Sequence, residues 1–211
     1  PAKSTMLLAV QNVLLQNALP LPVTQVEMTP PPRFDAPPAN TEVRDALSHA
    51  ALFRSTLNSE QREALASDCR PRAIPRGGVL MRQGDLADTM YIVLEGAASI
   101  TIETPTGIQE VAVSAAGDVI GEMSLMTGAP RVATVTALTK LRVLEVGKAA
   151  IESLLKSSPE LFEQFSRVLA QRQMENAAAA NRKQDVAQVE GDILAKMMSF
   201  FSRAFRARQS E

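Results

Sequence analysis

Cysteine and histidine each occur once, as Cys69 and His49. A single cysteine excludes an intramolecular disulfide framework and a multi-cysteine metal site, and a single histidine excludes a multi-histidine one. Neither charge sign is in excess: 22 Lys and Arg stand against 23 Asp and Glu, so no global field draws the chain toward nucleic acid. No run approaches the roughly 18 apolar residues that suggest a membrane span. The opening PAKSTMLLAV is too short an apolar stretch for a secretory signal. It starts on proline rather than methionine, which predicts further sequence upstream. There is no P-loop lysine, metal cluster or nucleophile–base pair, so the sequence reads as a non-enzyme. What is present is 211 residues, enough for one domain with a sizeable core and something beside it.

Met6, Leu7, Val10, Val13 and Leu14 recur at helical spacing, and the prolines of LPLPVTQVEM turn the chain extended, so residues 1–28 read as a helix followed by a short strand. Residues 29–41 hold five prolines in thirteen positions and read as a stiff linker. Helices are predicted over 42–52 and 58–68, the second capped by Asn58 or Ser59. After Pro71 the period shortens. Runs at 78–85, 89–103, 109–117 and 131–146, broken by Gly84, Gly96, Gly107 and Gly117, predict short antiparallel strands in a barrel, roll or jelly roll. Helix returns over 148–176. It is interrupted at Pro159, with Ser158 as a cap for the second piece and Leu161, Phe165, Val168 and Leu169 as its apolar stripe. A polar stretch follows, then the basic and apolar segment 193–208. The fold class is α+β: mainly an antiparallel, jelly-roll-like β-roll with flanking N- and C-terminal helices.

The stretch GEMSLMTGAPRVATV, 121–135, carries the chemistry. Gly121 allows a close backbone turn, and Glu122 to Met126 form one helical turn whose first N–H groups suit an anion. Gly128 and Pro130 close a bend, and Arg131 opens a strand. An arginine pointing into a roll is costly unless an anion meets it, and a phosphate does so through a two-pronged contact. Glu122 cannot bind the phosphate but can accept a hydrogen bond from a sugar hydroxyl. The pattern suits a small sugar phosphate.

IGEMSL and PRVATV resemble the two halves of the phosphate-binding cassette of cyclic nucleotide-binding domains, F-G-E-x-[SA]-L and P-R-x-A-[TS]-V. GGVLMRQGDLADTMYIVLEG resembles the early strands of the same family, and the likeness covers 53–175. It implies that Glu122 binds a ribose 2′-hydroxyl, that Arg131 pairs with the cyclic phosphate, and that the backbone at Gly121, Met123 and Val132 lines the ligand. Ser124 either caps the short helix or reaches the ligand. Ile120 stands where phenylalanine is usual. Val132 stands where threonine or serine often favours cGMP, so the expected ligand is cAMP, with cGMP as its competitor and no other cofactor. A helix after the roll closes over the base in this family. Arg172, Arg182 and Lys183 are candidates for that contact.

The leading segment LLAVQNVLLQNALPLPVTQVEM resembles the end of the cytoplasmic domain of small-conductance mechanosensitive channels. That resemblance implies a fragment of a channel domain at 1–28, the linker at 29–41, a cyclic nucleotide-binding domain at 42–185 and a basic amphipathic tail at 186–211. It further implies a ligand-gated ion channel, homo-oligomeric at full length, with this part on the cytoplasmic side of a bacterial inner membrane. The alternative is a soluble cAMP-binding regulatory subunit or the sensor of a transcription regulator. A cupin-like metal enzyme is disfavoured by the lone histidine.

Blander roles stand beside these. Glu122 and Arg131 could be a structural ion pair. His49 reads as a surface or packing residue, Cys69 as a core or strand-edge residue, Tyr91 as a strand residue, and Arg76 and Arg82 as a solvated face. The 193–208 segment suits a membrane surface, a partner helix or its own domain equally.

Overall fold

The computed structural model describes residues 40–179 and 186–207. The segments 1–28 and 29–39, on which the channel-fragment and linker expectations rest, lie outside the described residues, as do Arg182 and Lys183.

Among the described residues three helices come first: α1 Asn40–His49, α2 Ala51–Arg54 and α3 Ser59–Asp68. The single helix expected over 42–52 is two pieces. Ala50 leaves the helical region with φ −59° and ψ 125°, and Leu52 and Phe53 beyond the break are both fully buried. Helix α3 starts as the sequence predicts. The Asn58 side chain accepts from the Gln61 backbone N–H at 2.8 Å, and the Gln61 side chain accepts from the Asn58 N–H at 2.9 Å, a reciprocal cap.

Eight strands follow: β1 Arg70–Ile74, β2 Val79–Met81, β3 Thr89–Glu95, β4 Ala97–Thr104, β5 Gly107–Ala115, β6 Val119–Ile120, β7 Thr134–Ala137 and β8 Leu141–Gly147, with the short helix α4, Glu122–Thr127, between β6 and β7. They pair antiparallel in two four-stranded sheets, ordered β1-β8-β3-β6 and β2-β7-β4-β5. The alternation of side chains makes the first sheet the middle layer of three. Met90, Ile92, Leu144 and Val146 face the helices, whereas Tyr91, Val93, Leu141 and Val143 face Leu80, Ala98, Val135 and Ala137 of the second sheet. The expected α+β architecture of antiparallel strands with flanking helices is present, its strands forming two stacked four-stranded sheets rather than one closed roll. Among the described residues no ladder joins one sheet to the other.

Strand β1 escapes sequence pattern because RPRAI is exposed at four of its five positions and carries a proline. Both are tolerable because β1 is an edge strand, held by pairing with β8. Arg142 of β8, itself buried, ties α1 to the same sheet through Glu42 at 2.9 Å and Glu95 at 3.5 Å.

Helices α5, Lys148–Ser157, and α6, Leu161–Ala179, flank Pro159 as expected. Leu161, Phe165 and Leu169 are buried, with Val168 packed against the same cluster. The Ser158 hydroxyl is occupied elsewhere, accepting from Gln61 Nε2 at 2.8 Å, and its backbone carbonyl accepts from the Leu161 N–H at 3.1 Å. The last helix, α7 Val186–Ala207, starts before the expected segment because Val189 and Ile193 extend the four-residue spacing of Met197 and Phe201. All four are buried, and each such side chain contributes about 1.5–3 kcal/mol of burial. Phe201 meets Phe162 of α6 edge-to-face at 6.0 Å. Of the three partners open to the tail, the structure selects its own domain.

No helix among the described residues is long and apolar enough to cross a membrane. Helix α7 has the length, but its apolar face is committed to α4 and α6 and its outer face carries Asp192 and Lys196. The membrane, ion-transport and mechanosensitive-channel expectation is therefore corrected: it rested on resemblance at 1–28, and the described residues contain no membrane-spanning element to carry it.

Candidate functional site

Strand β6 delivers the chain to Gly121, which has φ +80°, a left-handed conformation that side chains with a Cβ adopt only with strain. A second constraint coincides with it: a Cβ at Gly121 would lie 2.2 Å from Arg131 Nη1. Glycine is required both for the turn into α4 and for the space that the guanidinium fills.

Arg131 is held from both ends. Its backbone N–H donates to Asp85 O at 2.8 Å and its carbonyl accepts from the Gly84 N–H at 2.8 Å, so the β2–β3 turn fixes its position. Its side chain is 3% exposed. Nη1 donates to Gly121 O at 2.8 Å, and Nη2 donates to Thr89 O at 2.5 Å and Thr89 Oγ1 at 3.1 Å. The Tyr91 ring lies beneath it, 5.9 Å from centroid to guanidinium carbon. Nε is buried with no hydrogen-bond partner. Burial lowers the Arg131 pKa, opposed in turn by Tyr91, Glu122, Asp85 and Asp88. A buried cation with an unmet donor and neutral oxygens on its other donors is arranged to receive an anion.

Glu122, the first residue of α4, is 9% exposed. Its carboxylate contacts Arg172 of α6 at 3.3 Å rather than pairing with Arg131, whose charge acts at longer range. Burial pushes the Glu122 carboxyl above its ordinary value, while Arg172, the backbone and Arg131 pull it back only in part. Ser124 neither caps nor faces outward: it is buried, and its hydroxyl donates to Pro130 O at 3.2 Å, tying α4 to the bend that presents Arg131. Met123 is partly buried against the helical core, and its carbonyl accepts from Thr127 Oγ1 at 2.6 Å. Val132 is 64% exposed and Leu86, next to the anchoring Asp85, is 78% exposed, so two apolar side chains stand at the surface of the cassette. A cleft of about 500 Å³ between α3 and α5 shares no residue with this cluster.

The family model of the cyclic nucleotide-binding domain matches residues 71–158, which span both sheets, the cassette and α5. This chain carries a cyclic nucleotide-binding domain. The domain is 37% identical over 103 residues to a cyclic nucleotide-gated potassium channel of Rhizobium etli, covering 49% of this chain and 28% of the channel. It is 30% identical over 129 residues to a CRP-like cAMP-activated global transcriptional regulator of Mycobacterium tuberculosis, covering 61% of this chain and 57% of the regulator. Among solved structures it is similar to the N-terminal domain of a transcriptional regulator from Streptomyces coelicolor (32% identity, TM-score 0.54), covering 64% of this chain and 95% of that one. A cyclic nucleotide-binding domain from Methylobacillus flagellatus superposes with TM-score 0.57 at 26% identity, covering 69% and 85%. The chain thus spans between about a quarter and somewhat over half of these two curated relatives.

Of the six sequence-predicted site residues, the structure brings Gly121, Glu122 and Arg131 together around the start of α4. Met123 and Ser124 are turned into packing and Val132 outward. Ile120, in place of the usual phenylalanine, is buried between the sheets, a packing role as expected. Arg76, Arg82 and His49 are exposed, the His49 ring contacting Asp45 O at 2.7 Å. Sequence reasoning missed Thr89, whose carbonyl receives the Arg131 guanidinium, and Asp85, whose carbonyl receives the Arg131 backbone N–H, because a backbone acceptor leaves no residue-type signal. Tyr91 was read only as a strand residue. It is one, but its hydroxyl also accepts from Thr89 Oγ1 at 3.2 Å and Arg72 Nη1 at 3.3 Å beside the site. Among the described residues no group of three or more His, Cys, Asp or Glu could hold a metal.

Proposed function

We propose that this domain binds a cyclic nucleotide reversibly, cAMP in preference to cGMP, and passes its occupancy to an effector, as the sensor of a regulatory protein. The observation that carries the reading is Arg131: a buried guanidinium with an unmet Nε, in a cradle that only Gly121 leaves open. A singly charged cyclic phosphate supplies the missing acceptor and the countercharge together. Glu122 accepts the ribose 2′-hydroxyl, and the backbone at Gly121, Met123 and Val132 lines the ligand. Ser124 shapes the bend rather than touching the nucleotide. Val132 has no hydroxyl to offer guanine, which favours adenine. No bond is made or broken, and the output is a population shift. Ligand stabilises one arrangement of α6 and α7 over the cassette, by no more than its difference in affinity for the two arrangements.

The output suits a regulatory subunit or a transcription-regulator sensor, in line with the share of the Mycobacterium tuberculosis regulator that the chain covers. Calorimetry of the 211-residue chain with cAMP and cGMP tests the binding. Micromolar or tighter affinity for cAMP is expected, about 8 kcal/mol or more, and Arg131→Ala should lose about 2–5 kcal/mol of it. No heat and no competition by either nucleotide at millimolar concentration refutes the proposal.

A further inference from the structure

Arg172 sits on α6, outside the cassette, yet it touches the cassette twice. Its Nη1 lies 3.3 Å from Glu122 Oε1, and its Nη2 donates to Val119 O at 3.2 Å. One side chain therefore grips the chain just before Gly121 and the carboxylate just after it. The Nη1 atom is buried and makes no aligned hydrogen bond, although it is within ion-pair distance. The contact with Glu122 is thus mainly Coulombic, and the carboxylate keeps its lone pairs for another donor. Glu122 itself is nearly sequestered from water, and a carboxylate there stays ionised only beside a cation. The groups that face it are Arg172 from α6 and, at longer range, Arg131 from the opposite side of the bend. Arg131 is already bonded to Gly121 and Thr89.

We propose that Arg172 is the positioning residue for Glu122, holding its carboxylate ionised and aimed so that it accepts the sugar 2′-hydroxyl, and thereby making α6 part of the ribose recognition. This rests on the cyclic nucleotide reading above. An ionised acceptor bonds a hydroxyl more strongly than a neutral one by about 1.4 kcal/mol, a tenfold factor in affinity. Without Arg172, burial drives Glu122 toward the protonated form, and this advantage is lost. The loss falls only on ligands that carry the 2′-hydroxyl, which separates positioning from general structural damage.

The test is calorimetric titration of the full chain with cAMP and 2′-deoxy-cAMP, for wild type, Arg172→Gln, Arg172→Lys, Glu122→Gln and the double variant R172Q/E122Q. Wild type should prefer cAMP by at least about tenfold. Arg172→Gln should lose that factor for cAMP with little change for 2′-deoxy-cAMP, as Glu122→Gln does, and the double variant should lose no more than either single one. Arg172→Lys, which keeps the charge, should keep the preference. If Arg172→Gln weakens both nucleotides equally, or leaves the preference intact, Arg172 does not act through Glu122 and the proposal is overturned. If Arg172→Gln fails to fold, the lysine variant decides: loss of the preference there as complete as in Glu122→Gln overturns it. Wild type that binds neither nucleotide overturns the functional reading, and this proposal with it.

Discussion

Replacing Gly121 by alanine adds one methyl group at the tightest point of the cassette. Two effects sum. At φ +80° a residue with a Cβ carries a left-handed strain of about 1–2 kcal/mol. The new Cβ would stand 2.2 Å from Arg131 Nη1, so the guanidinium must retreat by roughly 1 Å to reach ordinary contact. That retreat breaks the 2.8 Å bond to Gly121 O, and a buried hydrogen bond from a charged donor is worth about 1.5–3 kcal/mol. The expected loss of stability is therefore about 2.5–5 kcal/mol, below the unfolding free energy of an ordinary domain, so the variant remains folded. Gly117→Ala is the control, because Gly117 has φ +91° but nothing within 4 Å of its would-be Cβ. Alanine stiffens the unfolded chain equally in both variants, so that effect cancels in the comparison. Urea denaturation followed by circular dichroism should place Gly121→Ala below Gly117→Ala by about 1.5–3 kcal/mol. Calorimetry should show cAMP affinity reduced at least tenfold in Gly121→Ala alone. Equal stability of the two alanine variants, with unchanged affinity, would refute the coupling of Gly121 to Arg131.

Gly128 has φ +72° and a would-be Cβ 2.4 Å from the Phe200 ring, on whose face Lys148 Nζ stacks at 3.7 Å from the centroid. Gly128→Ala should push that ring away and loosen α7, seen as faster amide exchange over Val186–Ala207, and adding Phe200→Ala should remove the collision without further loosening. Glu122 is protonated more readily folded than unfolded, since burial raises its carboxyl against the pull of Arg172. Its contribution favours the fold at low pH and is lost as pH rises through the folded-state value. Glu122→Gln should therefore melt higher than wild type at pH 7, the gap closing as pH falls toward the ordinary carboxylate range; a gap that widens on acidification would reverse the assignment. Burial, with Asp68 adding to it, pushes the Cys69 thiol up to about 12, and its Sγ donates to Leu65 O at 3.2 Å. Ellman's reagent at neutral pH should react with it only on unfolding, and rapid labelling of the native chain would contradict that burial.

What could be read from the sequence is what neighbouring residues decide among themselves. Asn58 and Gln61 cap α3 across three positions, and apolar alternation announced the long strands. Gly121 with Glu122, and Pro130 with Arg131, marked the cassette because a left-handed glycine and an inward arginine are local requirements. The break at Ala50 and the polar edge strand β1 were hidden, since each is tolerated only because another element covers or pairs it.

The functional details that remained open in the sequence all depend on residues far apart along the chain. Nothing near Arg172 in the chain indicates its partners; the structure brings it to Val119, 53 positions away. Arg131 finds its second acceptor at Thr89, 42 positions away. The amphipathic pattern of α7 said only that one face must be buried, and packing on α4 and α6 settled against what. Periodicity and turn chemistry act within a few residues, so they are written in the order of the chain. The partner of a buried charge or an apolar face is set by which elements the completed core brings side by side.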